Sequence, residues 1–587
     1  MRALLLLPLL VGCLEVPSGQ GQECKVDSDC NTATGEACYQ GLCYGDPPLG
    51  TYAATLSAPA AREDLIATEI PLLALPQNGD LGALQLEAPV TFSGRVEVAC
   101  TMSQTTCSTL SIGAQIRITR PSRFPGGPAL RLVAISKADI PRGTDSFSIH
   151  LPRMHPGDPP YTVTIDPEGG GDLPPTHGGK DPAQVVPPKR IELAADSLLE
   201  HQTYTLGVNA VQITGVIKDG LGSYLTQYRV AALGRWDMTS ALSEVSSVHY
   251  STDGTYSIEI SEGVVGSVEI VARPYDPQVV ATELHATGVG PYSQVKNLYQ
   301  PTGIGQRVDV SIPIEALSGD GSVKPVSGAH VIVTGATESP FATSVRAVLV
   351  AEATTADDGI AKLSLLDGSA LASSYRIRVV PPGGSTAGVV FDDPVTLPTP
   401  MRVRLPQRVA LRGSLVDTSG KPLADVSVTA RRSLRFLWSL PGAQQSFLDE
   451  IPAATAITPD TGDFVLWLDP TVASTWGHYD LFFETPDNSA SPNWLVPDFE
   501  IPRILGQTAI SLDAVTIPDA ARIHGTVVDG AGVPVEGSAL RIFRLSSNDT
   551  LCSEVTNAPA ECSDDAKVMG HGETDDAGFV RLNLPRP

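Results

Sequence analysis

One pattern returns along this chain and constrains it more than any other feature. A Gly-bearing apolar strand runs into an Asp/Gly turn and then into a second apolar strand. Leu411 begins LRGSLVDTSGKPLADVSVTA, and Ile523 begins IHGTVVDGAGVPVEGSALRI. In register, Gly413 matches Gly525, Asp417 matches Asp529, Gly420 matches Gly532 and Pro422 matches Pro534. ITGVIKDGLGSYL, from Ile213, sets Gly215, Asp219 and Gly222 at the same spacing. FSGRVEV at Phe92 and GDGSVKPVSGAHVIVTG from Gly319 supply fainter copies. Alternating apolar residues broken by Asp and Gly spell a β-hairpin, because Asp bonds its own backbone in a turn and Gly takes positive φ without steric cost.

A second motif follows each copy at a variable distance: TADDGIAKLSL at Thr355, TPDTGDFVLWL at Thr458 and TDDAGFVRLNL at Thr574. STDGTYSIEI at Ser251 and GTDSFSIHL at Gly143 are shorter versions. Asp357, Asp460 and Asp576 share one slot of the form Thr-x-Asp-x-Gly. A catalytic site is assembled once, and calcium wants six or more oxygens, so a carboxylate that recurs with each hairpin reads as turn chemistry. A further strand then opens at Tyr161, Val268, Tyr375 and Tyr479, as YTVTIDP, VEIVARP, YRIRVVP and YDLFFETP.

Taken together these motifs resemble the carboxypeptidase regulatory-like domain, a transthyretin-like, Ig-like β-sandwich of about seven strands. The likeness covers most of residues 90–587 and is clearest from 408 and from 521. It implies an all-β chain of tandem sandwiches in an elongated array. In that family the sandwich carries no catalytic residues and accompanies peptidases or transporters, or stands in arrays on exported proteins. The expected division is sandwiches at 90–205, 206–305, 306–406, 407–520 and 521–587, with 47–89 an extended connecting segment. The last copy ends without a Tyr-led strand. Its sheet is expected either to keep an open edge or to be completed by another segment, such as GTYAATLSAP from Gly50.

The amino terminus gives an address. MRALLLLPLLVGC has one basic residue and an apolar run from Ala3 to Val11, too short for a bilayer span of about twenty residues. Residues 1–12 read as a signal peptide, and Leu10-Val11-Gly12-Cys13 resembles a bacterial lipobox. That resemblance implies lipidation of Cys13, a tether over 13–22 and, with Leu14 next, an outer-membrane destination. Removing Cys13 from nine cysteines leaves an even eight. Cys24, Cys30, Cys38 and Cys43 cluster in a module, 23–46, too small to bury a core and so expected to be stapled by disulfides of open connectivity. Cys100 with Cys107 and Cys552 with Cys562 bracket short loops and are further disulfide candidates. The module's spacing lacks the paired C-x2-C knuckles of zinc sites, so no metal is expected.

Composition narrows the function. With 54 Gly and 49 Pro, 42% apolar and 18% charged residues, the chain suits short strands and turns. A net charge of −25 without a Lys/Arg cluster speaks against nucleic acid and against polybasic docking on lipid. Nucleophile elbows, zinc helices and phosphate loops are absent in their required contexts. GVGPYSQV at Gly288 lacks the strand–helix frame of a phosphate cradle, and His150, His155 and His177 lack ligand spacing. Trp438, Trp476 and Trp494, in the aromatic-rich copy with RRSLRFLWSLPG, are the candidate binding residues.

The expectation is therefore a non-enzymatic cell-envelope lipoprotein without cofactor. It would be held to the membrane by the lipid on Cys13 and act as spacer or scaffold toward a protein or glycan partner. Its alternatives are a glycan-binding surface lipoprotein, an accessory subunit of an envelope transport or peptidase system, and an enzyme with His and Asp ligands in 150–205.

Overall fold

In a computed structural model, the described residues are 23–98, 114–121, 132–140, 146–167, 186–193, 202–207, 210–237, 242–276, 280–317, 321–338, 345–372, 374–395, 397, 402–433, 451–472, 475–486, 489–501, 508–545 and 568–586. They form tandem β-sandwiches. Among them the longest α-helix is the single turn Ser369–Ala372, and no helix is long and apolar enough to cross a membrane.

The recurring motif builds the same two-sheet unit each time. In the unit that opens at Val409, the strand Val409–Val416 pairs antiparallel with Asp463–Leu468 and parallel with Ala509–Ser511 and Val515–Thr516. The facing sheet runs Ala454–Ile457, Ser427–Arg432, His478–Glu484, Trp494–Glu500. Leu411, Leu415, Val428, Phe464, Leu466, Leu481 and Phe483 fill the space between the sheets. Their alternation with exposed Asp463 and Val465 is the period-2 pattern of a half-buried strand. Parallel closure of the first strand by the last also occurs at Val90–Val98, Val211–Lys218 and Arg307–Leu317.

The motif residues hold the turns. The Oδ1 atoms of Asp219, Asp417 and Asp529 each accept two backbone amides, at 2.8–2.9 Å: Leu221 and Ser223, Ser419 and Lys421, and Ala531 and Val533. In the second motif the shared element is the Thr, not the Asp. Thr355, Thr458 and Thr574 are buried. Each hydroxyl donates to a backbone oxygen of the first turn, of Val326, Leu423 and Val535, at 2.7, 2.8 and 2.7 Å. Each also accepts an amide, from Ala329, Val426 and Ser538. In the last copy the turn carboxylate is Asp575, one residue before the expected Asp576; it accepts the amides of Ala577 and Phe579. The following Gly has no room for a side chain. At Gly578, φ is +69°, and an added Cβ would lie 2.6 Å from the Val527 carbonyl oxygen.

Two departures shape the whole. First, the sandwiches within 211–405 share one continuous core and one nine-stranded sheet, in which Glu283–Val289 pairs with Val345–Thr354. Each strand covers what would otherwise be the other's open edge.

Second, residues 47–89 are not a connecting segment. Thr51–Ser57 pairs along its length with Ala539–Leu545, and Thr68–Leu73 continues that sheet. Asp80–Gln85 pairs parallel with Ala520–Val528 in the facing sheet. The fifth sandwich is thus circularly permuted. Its Tyr-led strand is Thr51–Ser57, with Tyr52 buried, and its parallel closing strand is Asp80–Gln85. Tyr52, Leu56, Leu86, Ile523, Ile542 and Leu582 share its core. Fully burying such a side chain contributes about 1.5–3 kcal/mol, and this drives the distant segments together.

The other sandwiches consequently leave from this body and return to it. Arg120 of the first meets Glu69 at 2.6 Å. Arg190 meets Asp237 at 3.0 Å between first and second, and the Val389 amide donates to Asp469 at 3.0 Å between third and fourth. Asn583 Nδ2 donates to the Ser489 carbonyl at 2.8 Å between fifth and fourth. The circuit is closed.

Candidate functional site

A cavity lies at the seam of the third and fourth sandwiches, in the aromatic-rich copy. It encloses about 590 Å³, and its lining includes Gly384, Arg408, Arg432, Trp467, Asp469 and Tyr479. Asp463–Leu468 turns Phe464, Leu466 and Leu468 inward, which leaves Val465 and Trp467 on the outer face toward the pocket. Trp467 is half-buried.

The polar floor is built from the backbone up. Tyr479 opens the strand His478–Glu484, and its buried hydroxyl donates to the Asp469 carbonyl at 2.9 Å and accepts the Asp469 amide at 3.0 Å. Tyr375 does the same with Leu366, at 2.8 and 3.1 Å, so the recurring Tyr is a corner that ties two strands together. Burial pushes the Tyr479 hydroxyl up to about 12. With its backbone so fixed, Asp469 directs its carboxylate at two cations. Oδ1 accepts Arg408 Nε at 3.2 Å as well as the Val389 amide, and Oδ2 stands 3.5 Å from Arg432 Nη2. The side chains of Arg408, Arg432 and Asp469 are only 5–6% exposed. Arg432 lies over the Tyr479 ring, 5.0 Å from its centroid.

The expected site residues are partly brought to this place. Trp494 is half-buried and packs on the core of the same sandwich, away from a stacking role. Trp476 lies in a two-stranded hairpin with Thr471–Val472. Trp438 and Cys13 lie outside the described residues, as do Cys100, Cys107, Cys552, Cys562 and His177. The module cysteines form disulfides, Cys24–Cys38 and Cys30–Cys43. Three of their sulfurs lie within 4.8 Å of one another, but paired sulfurs have no thiolate to offer a metal.

His150 stands exposed on the strand Ser146–Leu151. His155 sits 3.2 Å from Glu87 and 3.6 Å from Asp158, in the same seam as Arg120. That group joins two sandwiches. His571 Nδ1 lies 3.1 Å from Asn493 Nδ2 of the fourth sandwich. Arg408, Arg432 and Asp469 were missed by sequence reasoning. The available signal was the stretch RRSLRFLWSLPG, whose second residue is the buried Arg432.

No protein-family model matches the chain, and no curated protein matches it. Among solved structures, a streptococcal ancillary pilin aligns at 10% identity over 52% of this chain and 99% of its own, with a TM-score of 0.18. Two B repeat units of the collagen-binding protein of Staphylococcus aureus align at 12% identity over 72% and 99%, with a TM-score of 0.13. The minor pilin of Streptococcus agalactiae aligns at 14% identity over 36% and 95%, with a TM-score of 0.19. At such TM-scores these likenesses carry no argument, and the fold rests on the strand pairing itself.

Proposed function

We propose that this is a non-enzymatic lipoprotein of the cell envelope, anchored through a lipid on Cys13. Its tandem sandwiches would act as a scaffold that presents surfaces to a protein or glycan partner. The division into units follows the limits given above, except that 47–89 belongs with 521–587. The observation that supports this reading best is the use made of polar side chains. The carboxylates of Asp219, Asp417, Asp529 and Asp575 hold turns. Arg120, Arg190 and Arg408 hold seams between sandwiches. Side chains spent in this way make a firm frame. The disulfide module, at the anchor side, is tied to that frame at the fifth sandwich by the stack of Tyr39 on His524, 4.3 Å between centroids.

The test is metabolic labelling of expressing cells with an alkyne fatty acid, followed by membrane fractionation of wild type and C13S. Label and membrane retention that disappear in C13S are expected. Label that persists in C13S, or a wild type that carries none, refutes the anchor. Crosslinking on intact cells followed by capture tests the scaffold role: a recurrent envelope partner is expected, and capture of the chain alone counts against it.

A further inference from the structure

From the pocket beneath Arg432 we infer that the fourth sandwich binds a small organic carboxylate, which its guanidinium would hold. This goes beyond the scaffold role and is independent of how the chain is anchored.

The first sandwich supplies the comparison. Thr162 pairs with Thr119, which sets Tyr161 opposite Arg120, just as Tyr479 pairs with Arg432 in the fourth. Both cations lie over their Tyr rings, at 5.7 and 5.0 Å. Arg120 is 1% exposed, and its Nη2 donates to a carboxylate oxygen of Glu69, on the strand Thr68–Leu73, at 2.6 Å. At the matching place on Arg432 stands a cavity of about 590 Å³. Among the described residues, none of the Arg432 nitrogens Nε, Nη1 and Nη2 has a hydrogen-bond partner.

Asp469 does not make up the deficit. One carboxylate faces two buried guanidiniums, and its hydrogen bonds go to Arg408 and the Val389 amide. Among the described residues one positive charge is left over. A buried donor left unsatisfied is costly, and a planar guanidinium accepts a carboxylate through two parallel bonds. The remaining lining suits the body of such a ligand. Trp467 offers a half-buried aromatic surface, and Ile451, Pro452 and Ala453 close one side. The volume is that of a small-molecule site.

The test uses the purified full chain with D-glucuronate and benzoate as probes, and D-glucose and benzamide as their uncharged counterparts. Binding is read by calorimetry on wild type, R432M and R432K. At least one carboxylate is expected to bind and neither uncharged compound. R432M should weaken binding about tenfold or more, with R432K between them because it keeps charge but loses the fork. Preference for glucuronate would point to a sugar acid, and preference for benzoate to an aromatic acid. Equal responses of wild type and R432M, absence of binding included, overturn the proposal.

A second readout is the melting temperature without ligand. R432M leaves Asp469 paired one-to-one with Arg408, so no loss beyond about 2 °C is expected. A drop of several degrees would show that Arg432 is already satisfied inside the protein and would overturn the proposal as well.

Discussion

Tyr52 lies opposite Arg544 in an antiparallel ladder whose two strands come from opposite ends of the sequence. The same clasp carries the ion pair of Arg62 with Asp529, 3.1 Å apart and 467 residues distant. Its strength comes from the core, where Leu56 is fully buried. L56A should therefore cost the fifth sandwich about 2–5 kcal/mol. L56D should prevent that sandwich from closing while the other cores persist. Hydrogen exchange resolved by segment checks this: protection should fall together over 51–57 and 539–545 and stay in 409–416. Uniform loss everywhere would contradict the clasp as a separable element.

The Thr hydroxyl that joins the two motifs gives a second expectation. Thr458 donates to the Leu423 carbonyl and accepts the Val426 amide while buried at 1% exposure. T458V keeps the shape and orphans both groups, at about 1–3 kcal/mol, whereas T458S should cost less. Denaturant unfolding of the three chains measures the difference, and equal stability of T458V and wild type would contradict it.

Two histidines should give opposite pH dependences. Burial alone would push His285 down, but its hydrogen bonds to Glu283 and Glu269 outweigh this and hold it above the ordinary 6.5. Arg346, its partner across the shared sheet, and Arg273, which pairs with Glu283, also border this group. A raised folded value means stability fully present below 6.5 and lost as the pH climbs through that higher value. His524 is lowered by burial, partly offset by Asp80 and reinforced by Arg581. Its contribution is present above 6.5 and falls away as the pH drops from there toward the lower folded value. Melting profiles against pH should flatten on the alkaline side in H285Q and on the acid side in H524Q.

The disulfide module gives the fourth. Its bonds close loops of 14 and 13 residues of separation, each worth about 3 kcal/mol by the chain-entropy estimate. With a core made largely of the cysteines themselves, the module should unfold on reduction while the sandwiches persist. The stack of Tyr39 on His524 would open with it, and the His524 titration should move back toward 6.5. Nuclear magnetic resonance of the His524 ring before and after reduction follows this directly.

The repeated hairpins were legible because their geometry is local. Asp417 bonds amides two and four residues ahead, and Gly420 turns with φ of +83°. Such contacts fix residue type at fixed spacing. The Thr contribution was visible as a recurring letter but not as a contact, since Thr574 reaches Val535 across 39 residues. The permuted fifth sandwich left a trace only in what its copy lacked, and Gly50 onward could be named as one candidate to complete it. Asp80–Gln85 gave no such sign: its pattern is largely exposed, and it pairs along one edge of Ala520–Val528. The pocket cations escaped because Arg431 and Arg432 look alike in sequence. One lies exposed and the other is buried beneath a seam that only the assembled sheets create.

A sandwich built from both ends also keeps time. As the polypeptide emerges amino end first, Thr51–Ser57 can pair early with Thr68–Leu73, but its other edge has no mate until residues 539–545 arrive. For the whole interval that edge stays open. Each doubling of the enclosed loop adds only about 0.6 kcal/mol to its closure, so the delay is set by delivery of the chain and not by equilibrium. A product broken off anywhere before residue 539 would keep that edge exposed, open to strand addition and to proteases. The clasp thus ties completion of the amino-terminal sheet to arrival of residues 539–545.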